Sequence, residues 1–359
     1  QVTFKNYRSR KDGTELSPSV PSASPAESFT ERKGFSLNNS DTAYLLPPKK
    51  TVWQRFKANS GFLFIAPAVI IFLVFGLYTV IYSIVLSFFR WNGFGKFNLF
   101  PFACQSPACT YVGLENYMDF LYREPTYSRF FWWAIEHNLA IAVFVTLFTI
   151  LIALPLAISL NRAARGQSIY RTLMLLPMIT SGIAVYYVWM YIYEPDGLLN
   201  TAFQSIGLGF LQAKQGWLGQ PNTALGSLIV VLIWGGVPMS MILYLSGLQT
   251  INQELYESAR MDGANAWQML WNITWPLLYP ITVIIVIMSI NGAFQGYEMV
   301  YLMTYGGPAG HTEVVGLQIF KFGFGDQRAL GMASAMSWIL FLFVFAVALF
   351  NLRILRSRT

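Results

Sequence analysis

Six long apolar runs alternate with polar segments along the chain. A helix needs about 20 apolar residues, at a rise of about 1.5 Å each, to cross the roughly 30 Å hydrocarbon core of a bilayer. Several runs contain proline, which membrane helices tolerate when neighbouring helices satisfy the backbone groups that it frees. The predicted spans are about 62–89, 139–160, 173–193, 225–245, 277–300 and 330–352.

This pattern predicts an all-α, polytopic membrane protein whose membrane domain covers residues 53–359. The chain is 55% hydrophobic and 11% charged, whereas soluble domains are about 45–50% apolar and about 25% charged. The net charge of +7 comes from Lys and Arg in short flanks of the apolar runs, which is a topology signal rather than a nucleic-acid-binding surface. Two histidines and two cysteines are too few for a metal framework.

Residues 1–52 show no apolar periodicity and are rich in serine, proline, lysine and arginine. Such a segment buries too little surface to offset its ordering entropy, so it is predicted to be a disordered, polar cytoplasmic tail. A regulatory or tethering role is the alternative. No signal peptide is expected, because the first apolar run is too long for one.

Basic residues at the ends of the runs favour cytoplasmic N- and C-termini. The short hairpin 161–172 contains three basic residues and no acidic one, which places it inside by the positive-inside rule. Cys104 and Cys109 then lie outside, where they could close a small disulfide loop. Two free thiols are equally compatible with the sequence.

One polar insert, residues 249–276, separates the fourth and fifth runs. A charged segment between two spans must leave the bilayer, and the orientation above places it in the cytoplasm. Residues 253–261 are predicted to form a short helix that ends at Gly263, where a positive φ is available. Such a helix suits a groove in a soluble partner, although an amphipathic interfacial loop would have the same periodicity. The charged residues of the insert are Glu254, Glu257, Arg260 and Asp262.

The insert reads YESARMDGANAWQMLWNITWP from Tyr256 to Pro276, and it resembles the signature loop of binding-protein-dependent ABC importer permeases. The matching positions are Glu257, Ala259, Asp262, Gly263, Ala264, Ile273 and Pro276, while Ser258 stands where the family commonly has alanine. The resemblance implies that an ATPase is contacted by Glu257, Ser258, Ala259, Arg260, Asp262, Gly263 and Ala264.

Four further segments resemble carbohydrate-importer permeases of the maltose and glycerol-phosphate type, first subunit. They are Tyr111–Tyr117, Trp189–Asn200, Trp234–Pro238 and Thr304–Thr312. The resemblance implies a type I permease in a prokaryotic inner or plasma membrane, which moves a sugar or sugar-like small-molecule solute through the lipid. Its partners would be a second, non-identical permease, two ATPase subunits and an extracytoplasmic solute-binding protein.

No cofactor is expected on this chain. It contains no G-x-x-x-x-G-K-[ST] phosphate loop, so ATP and Mg are expected on the ATPase subunits.

Two segments carry the small residues expected around a solute. Gly235, Gly236 and Pro238 interrupt the fourth run, and a face of small residues at helical spacing follows in the fifth. Close helix packing is the simplest interpretation of such a face, whereas the resemblance implies a sugar cavity. The candidate solute contacts are Gly235, Gly236, Met239, Ser289, Asn291, Gly292, Ala293, Gln295, Gly296 and Glu298.

Glu298, near the outer end of the fifth run, is compatible with either a structural role or solute contact. The aromatic cluster from Tyr186 to Tyr193 is typical of an interfacial belt, with sugar stacking as the alternative. His137 and His311 are predicted to be surface residues.

Three other functions stay open on the residues alone. The same architecture serves other polar solutes, such as an osmolyte, glycerol phosphate or an amino acid. An intramembrane enzyme would need a catalytic constellation in the spans, and none is present in the sequence. A non-transporting scaffold is the third alternative.

Overall fold

The computed structural model describes residues 60–95, 97–98, 103–104, 109–162, 167–325 and 328–356. The predicted tail, residues 1–52, lies outside these ranges. The chain divides into two compact units between Pro67 and Ala68. Of the first unit only residues 60–67, the start of the first helix, are described.

The described chain is predominantly helical. Five helical stretches are long and apolar enough to cross a membrane, where helices joined directly through a π turn count as one stretch. The number is six if one bent pair of helices is a single span. The helices are α1 (Ser60–Ile71), α2 (Tyr78–Ser87), α3 (Glu115–Met118), α4 (Pro125–Arg162), α5 (Gln167–Ile179), α6 (Gly182–Ile192), α7 (Leu198–Ser205), α8 (Pro221–Leu248), α9 (Gln253–Met261), α10 (Ala266–Met269), α11 (Trp275–Gln295), α12 (Tyr297–Met303), α13 (Val315–Phe324) and α14 (Leu330–Arg356).

Short π-helical and 3₁₀ turns join some of these helices: Phe72–Leu77, Asp119–Arg123, Gly209–Leu211 and Leu270–Thr274.

Two small antiparallel sheets lie in the segment that joins α2 to α3. Strand β1 (Phe89–Trp91) pairs with β4 (Cys109–Tyr111), and β2 (Phe97–Asn98) pairs with β3 (Ala103–Cys104). Cys109 is disulfide-bonded. The alternative of two free thiols is therefore wrong.

The first, fourth and sixth predicted spans agree with α1–α2, α8 and α14, apart from a few residues at their ends. The second span is longer than predicted, because α4 begins at Pro125 rather than near residue 139. The first turns of α4 carry aromatic and polar side chains. These side chains interrupt the apolar run in the sequence, but they do not interrupt the helix.

The third predicted span, 173–193, is not one straight helix. Helices α5 and α6 are bent by 100° at the break between Ile179 and Gly182. Ser181 is extended there, with φ −57° and ψ 128°. Hydropathy is continuous across these residues, so an apolar run could not reveal the bend.

The fifth predicted span, 277–300, is also interrupted. Helix α11 ends at Gln295, and Gly296 leaves the helical region with φ −78° and ψ 61° before α12 begins. The prediction of one continuous span through residue 300 was therefore wrong.

The centre of the membrane domain is formed by α4, α8 and α11. Ala153 and Ala157 of α4 are fully buried against α8, and their small side chains permit close approach. Gly247 of α8 packs on α11, where a Cβ would collide with Ile281. The prediction of a packed helical bundle is confirmed for these three helices.

The junction between α2, β1 and α14 depends on one buried amide. The side-chain nitrogen of Asn116 donates to the carbonyls of Ser87 and Phe89 at 2.8 and 2.9 Å. Gly331 of α14 packs directly on this pair, and a Cβ at that position would collide with the Phe89 carbonyl oxygen. Because the obstacle is backbone, it cannot move aside as a flexible side chain would.

Gly331→Ala is therefore expected to lower the free energy of unfolding by about 2 kcal/mol or more, as overpacking does in other cores. The matched control is Gly226→Ala in α8, where the added Cβ meets open space and alanine is the better helix former. The thermal unfolding midpoint in detergent measures both. Equal midpoints for the two variants would contradict the close packing of Gly331.

Candidate functional site

The polar insert forms helix α9, which local hydrogen bonds define at both ends. At its start the Asn252 side chain accepts from the backbone N–H of Glu254 at 3.1 Å. At its end Gly263 has φ +78°, and the N–H groups of Gly263 and Ala264 donate to the carbonyls of Arg260 and Ala259. This is the Schellman arrangement, which requires the left-handed conformation that glycine adopts easily. The predicted helix Gln253–Met261 and its glycine stop are confirmed.

The predicted ATPase-contacting residues lie on the surface of this loop. The exposed ones are Glu257, Ser258, Arg260, Asp262 and Gly263, and the half-buried ones are Ala259 and Ala264. Two large apolar side chains beside them are also exposed, Met261 at 88% and Trp267 at 66%. A short helix that presents charged and apolar groups together has the surface of a docking element.

The loop is held firmly to helix α11. The Tyr256 hydroxyl lies 2.9 Å from the Oγ1 atom of Thr274, which is buried. Between them, Asn265 and Gln268 form a reciprocal capping box at the start of α10, and the π turn Leu270–Thr274 continues directly into α11. Helix α9 is therefore connected to α11 by hydrogen-bonded helical turns rather than by a loose linker.

An inner cavity of about 340 Å³ lies between α4, α6, α8 and α11. It brings together six of the predicted solute contacts, Gly235, Gly236, Met239, Ser289, Gly292 and Ala293. Sequence reasoning missed Thr149, which also lines it and whose Oγ1 atom has no hydrogen-bond partner within the described residues. The described lining carries no charged side chain.

An outer cavity of about 390 Å³ adjoins the inner one, and Tyr186 and Leu232 line both. Three more predicted contacts, Gln295, Gly296 and Glu298, line the outer cavity. Asn291 lines neither and instead accepts a hydrogen bond from the Gln295 side chain at 2.8 Å. Six of the predicted contacts thus line the inner cavity and three line the outer cavity, while Asn291 lines neither and bonds to Gln295.

Aromatic rings make up much of the outer cavity wall. Tyr297 stacks on Phe320 with ring centroids 5.5 Å apart, and Tyr301 meets the same ring edge-on at 4.9 Å. Tyr186 completes this wall from α6. Sequence reasoning placed Tyr186 in an interfacial belt and did not single out the other three, because nothing in a linear pattern distinguishes a cavity-facing ring from a lipid-facing one.

Asn138 of α4 joins the outer end of α11 to α13. Its side-chain nitrogen donates to the Ala293 carbonyl at 2.6 Å, and its oxygen accepts from the Val315 N–H at 3.0 Å. Both partners are backbone groups at helix ends, which lack partners within their own helices. One buried amide therefore ties α4 to the last turn of α11, beside the inner cavity, and to the first residue of α13.

An ion pair with a buried carboxylate joins the segment between α12 and α13 to α13 itself. The Lys321 ammonium donates to both carboxylate oxygens of Glu313, at 3.0 and 2.8 Å. Burial raises the pKa of the Glu313 carboxyl, and the hydrogen bond from Lys321 pulls this pKa in the opposite direction. The Glu313 carboxylate packs directly against Gly306, where a Cβ would collide with it.

The two histidines differ. His311 is exposed, as predicted, and its ring stacks on Trp133. His137 is half-buried, and its Nδ1 atom lies 2.8 Å from the Glu313 carbonyl oxygen. The prediction that His137 is a surface residue was therefore wrong, because α4 extends beyond its apolar run and packs against this segment.

Comparison with known proteins gives a family match over most of the chain. The model of the family described as "binding-protein-dependent transport system inner membrane component" matches residues 149–356. The probable ABC transporter permease protein YurN of Bacillus subtilis is 32% identical over 82% of this chain and 96% of its own length. The trehalose/maltose transport system permease protein MalF of Thermococcus litoralis is 30% identical over 84% of this chain and 95% of its own length.

The fold also matches a solved structure. A chain of the bacterial ABC transporter involved in the import of the acidic polysaccharide alginate superposes with a TM-score of 0.69. The match covers 85% of this chain and 98% of that one at 23% identity. At this identity the likeness concerns the fold.

The ion pair generates a prediction about pH. Lys321→Met leaves the Glu313 carboxylate buried without its cation, which is expected to lower the free energy of unfolding by about 3 kcal/mol at neutral pH. An acid whose folded-state pKa is raised binds its proton more tightly in the folded protein. The deficit is therefore absent below the unfolded-state pKa, grows between the unfolded-state and the folded-state pKa, and is complete above the folded-state pKa.

Thermal unfolding midpoints in detergent at mildly acidic and neutral pH measure this deficit. The double variant Glu313→Gln/Lys321→Met is the control, since it has no carboxylate to leave unpaired, and its difference from the unmodified protein is expected to change less with pH than that of Lys321→Met. A deficit of Lys321→Met that is the same at both pH values would contradict the assignment.

Proposed function

The chain belongs to the family of inner membrane components of binding-protein-dependent transport systems, and from this premise we propose that it is a permease subunit of an ATP-driven importer of a sugar or sugar-like solute. The observation that carries the proposal is the position of α11. One end of this helix continues from the exposed loop that contains α9, and its other half lines the inner cavity. A single rigid element thus connects a docking surface to a solute-sized space.

The assignment of a sugar draws on the relatives and on the cavity. Relatives carry names that refer to lactose, to trehalose/maltose and to multiple sugars. The described wall of the inner cavity is uncharged, with glycines that leave room for a ring and hydroxyl groups at Thr149, Ser240 and Ser289. Uncharged walls with a few polar groups suit a neutral, hydroxyl-rich solute.

The exposed loop is assigned to the ATPase. In this arrangement the residues from Glu257 to Ala264 would sit in a cleft of that subunit, and closure of an ATPase pair would move α11 as a near-rigid body. ATP and Mg would be held by the two ATPase subunits. In this proposal α9 and both chain termini lie on the cytoplasmic side.

The inner cavity also supports the assignment of a second permease. Gly235, Met239 and Gly292 line it, yet they are exposed in this chain. A polar solute cannot face lipid without a large cost, and closure of this side by another membrane subunit would avoid that cost. We assign that role to a second, non-identical permease, and delivery of the solute to an extracytoplasmic binding protein.

Coupling through α9 can be tested with the reconstituted importer. Glu257→Lys reverses a charge on the proposed contact, and Gly263→Val places a β-branched residue at φ +78°. Both are expected to lower solute uptake about ten-fold or more, while the protein stays folded in the membrane.

Asp196→Lys is the matched control, because Asp196 is exposed and lies outside the loop. Uptake and ATP hydrolysis are measured in the same proteoliposomes. Uptake by Glu257→Lys and Gly263→Val at the level of the control would remove the loop from coupling.

The cavity assignment has its own test. Gly292→Phe is expected to keep the fold, since a Cβ there meets open space, but to fill the inner cavity and reduce uptake by about ten-fold or more, equivalent to roughly 1.4 kcal/mol. Gly226→Phe is the control, because Gly226 is equally open and lines neither cavity. Equal uptake by the two variants would contradict a solute path through the inner cavity.

A further inference from the structure

The outer cavity differs from the inner one in its chemistry. The inner cavity has no charged residue in its described wall, whereas the outer cavity has one carboxylate, that of Glu298, among aromatic rings. Within the described part of the chain the carboxylate of Glu298 takes part in no ion pair and no hydrogen bond. Its side chain is exposed, so its charge acts on whatever enters.

Basic residues of the surrounding elements do not neutralise this charge. Lys321, the residue next to Phe320 of the cavity wall, is bound to the Glu313 carboxylate at 2.8 Å. The Arg129 guanidinium lies over the rings of Phe130 and Trp133. Within the described residues the outer cavity therefore presents net negative charge.

The aromatic wall adds a second property. Sugar rings have apolar faces of C–H groups that pack well on aromatic rings, and their hydroxyls can donate to a carboxylate or to the Gln295 amide oxygen. Tyr297, Tyr301 and Phe320 provide such rings beside Glu298. A neutral sugar can use both features, whereas an acidic sugar would bring its own carboxylate against Glu298.

We propose that the outer cavity is a first subsite for an uncharged sugar ring, and that Glu298 acts there as a charge filter that excludes anionic sugars. This inference rests on the proposed function. It narrows the solute to neutral sugars and disfavours sugar acids and phosphorylated polyols. A similar fold is found in a transporter of the acidic polysaccharide alginate, so the fold alone does not determine the charge of the cargo. In this proposal the side chains of the outer cavity determine the charge of the solute that is transported.

The field of Glu298 can be measured without knowing the solute. Leu302→Cys places a thiol in the outer cavity wall, and its rate of modification in membrane vesicles is compared for cationic trimethylammonioethyl and anionic sulfonatoethyl methanethiosulfonate. Adding Glu298→Gln is expected to lower the cation-to-anion rate ratio about five-fold, which is the order expected for one unit charge near a water-exposed group. Adding Glu194→Gln instead is the control, because Glu194 is exposed and lines neither cavity.

Selectivity is measured in the complete importer. Uptake of maltose and lactose is compared with uptake of their anionic counterparts, maltobionate and lactobionate. The neutral-to-anionic ratio is expected to fall about five-fold in Glu298→Gln relative to Glu194→Gln. The binding protein is the same in both preparations, so its own preference cancels.

The outcomes separate the two proposals. If Glu298→Gln transports the sugars but neither ratio changes, the charge filter is overturned while the permease assignment stands. If neither the variants nor the unmodified importer take up any of these sugars, the assignment of a maltose-like or lactose-like solute fails. The thiol-labelling ratio then still decides whether Glu298 sets the charge of the cavity. A fall in both ratios supports the filter.

Discussion

A helix that stops inside or near a membrane must have its free backbone groups satisfied by another part of the chain, because lipid offers no hydrogen bonds. Asn138 meets this constraint for the outer end of α11. Its amide joins the Ala293 carbonyl to the Val315 N–H, so the break at Gly296 is supported by α4. The cavities depend on this contact, since Ala293 lines the inner one and Gly296 the outer one.

The same helix connects two distant surfaces, the exposed loop that contains α9 and the wall of the inner cavity. The N-terminal end of α11 follows the π turn Leu270–Thr274, and Thr274 is bonded to Tyr256 of α9. Its middle packs against α4 and α8 through Leu278 and Ile285, both of which are fully buried. The helix is thus held at its start, middle and end, and the proposed coupling relies on this packing.

Much of this architecture is visible in the sequence because hydropathy, loop chemistry and motif spacing are local. The polar insert, its helix and the left-handed Gly263 follow from adjacent residues alone. The bend between α5 and α6 does not, since Thr180 and Ser181 barely interrupt an apolar run. The role of Asn138 cannot be recognised from the sequence either. It lies at the start of a predicted span, like any polar flanking residue, and its hydrogen-bond partners are about 155 and 177 positions away.

The candidate solute contacts show the same division. Small residues at helical spacing predicted a face, and six of the predicted positions do line one cavity. Spacing cannot tell which side of a break a residue lies on, and the break at Gly296 places Glu298 in a different compartment from Ser289 and Gly292. This separation changes the meaning of the carboxylate. In the inner cavity the Glu298 carboxylate would be a hydrogen-bond acceptor for one hydroxyl group. In the outer cavity, under the charge-filter proposal, its charge acts on every solute before that solute reaches the inner cavity.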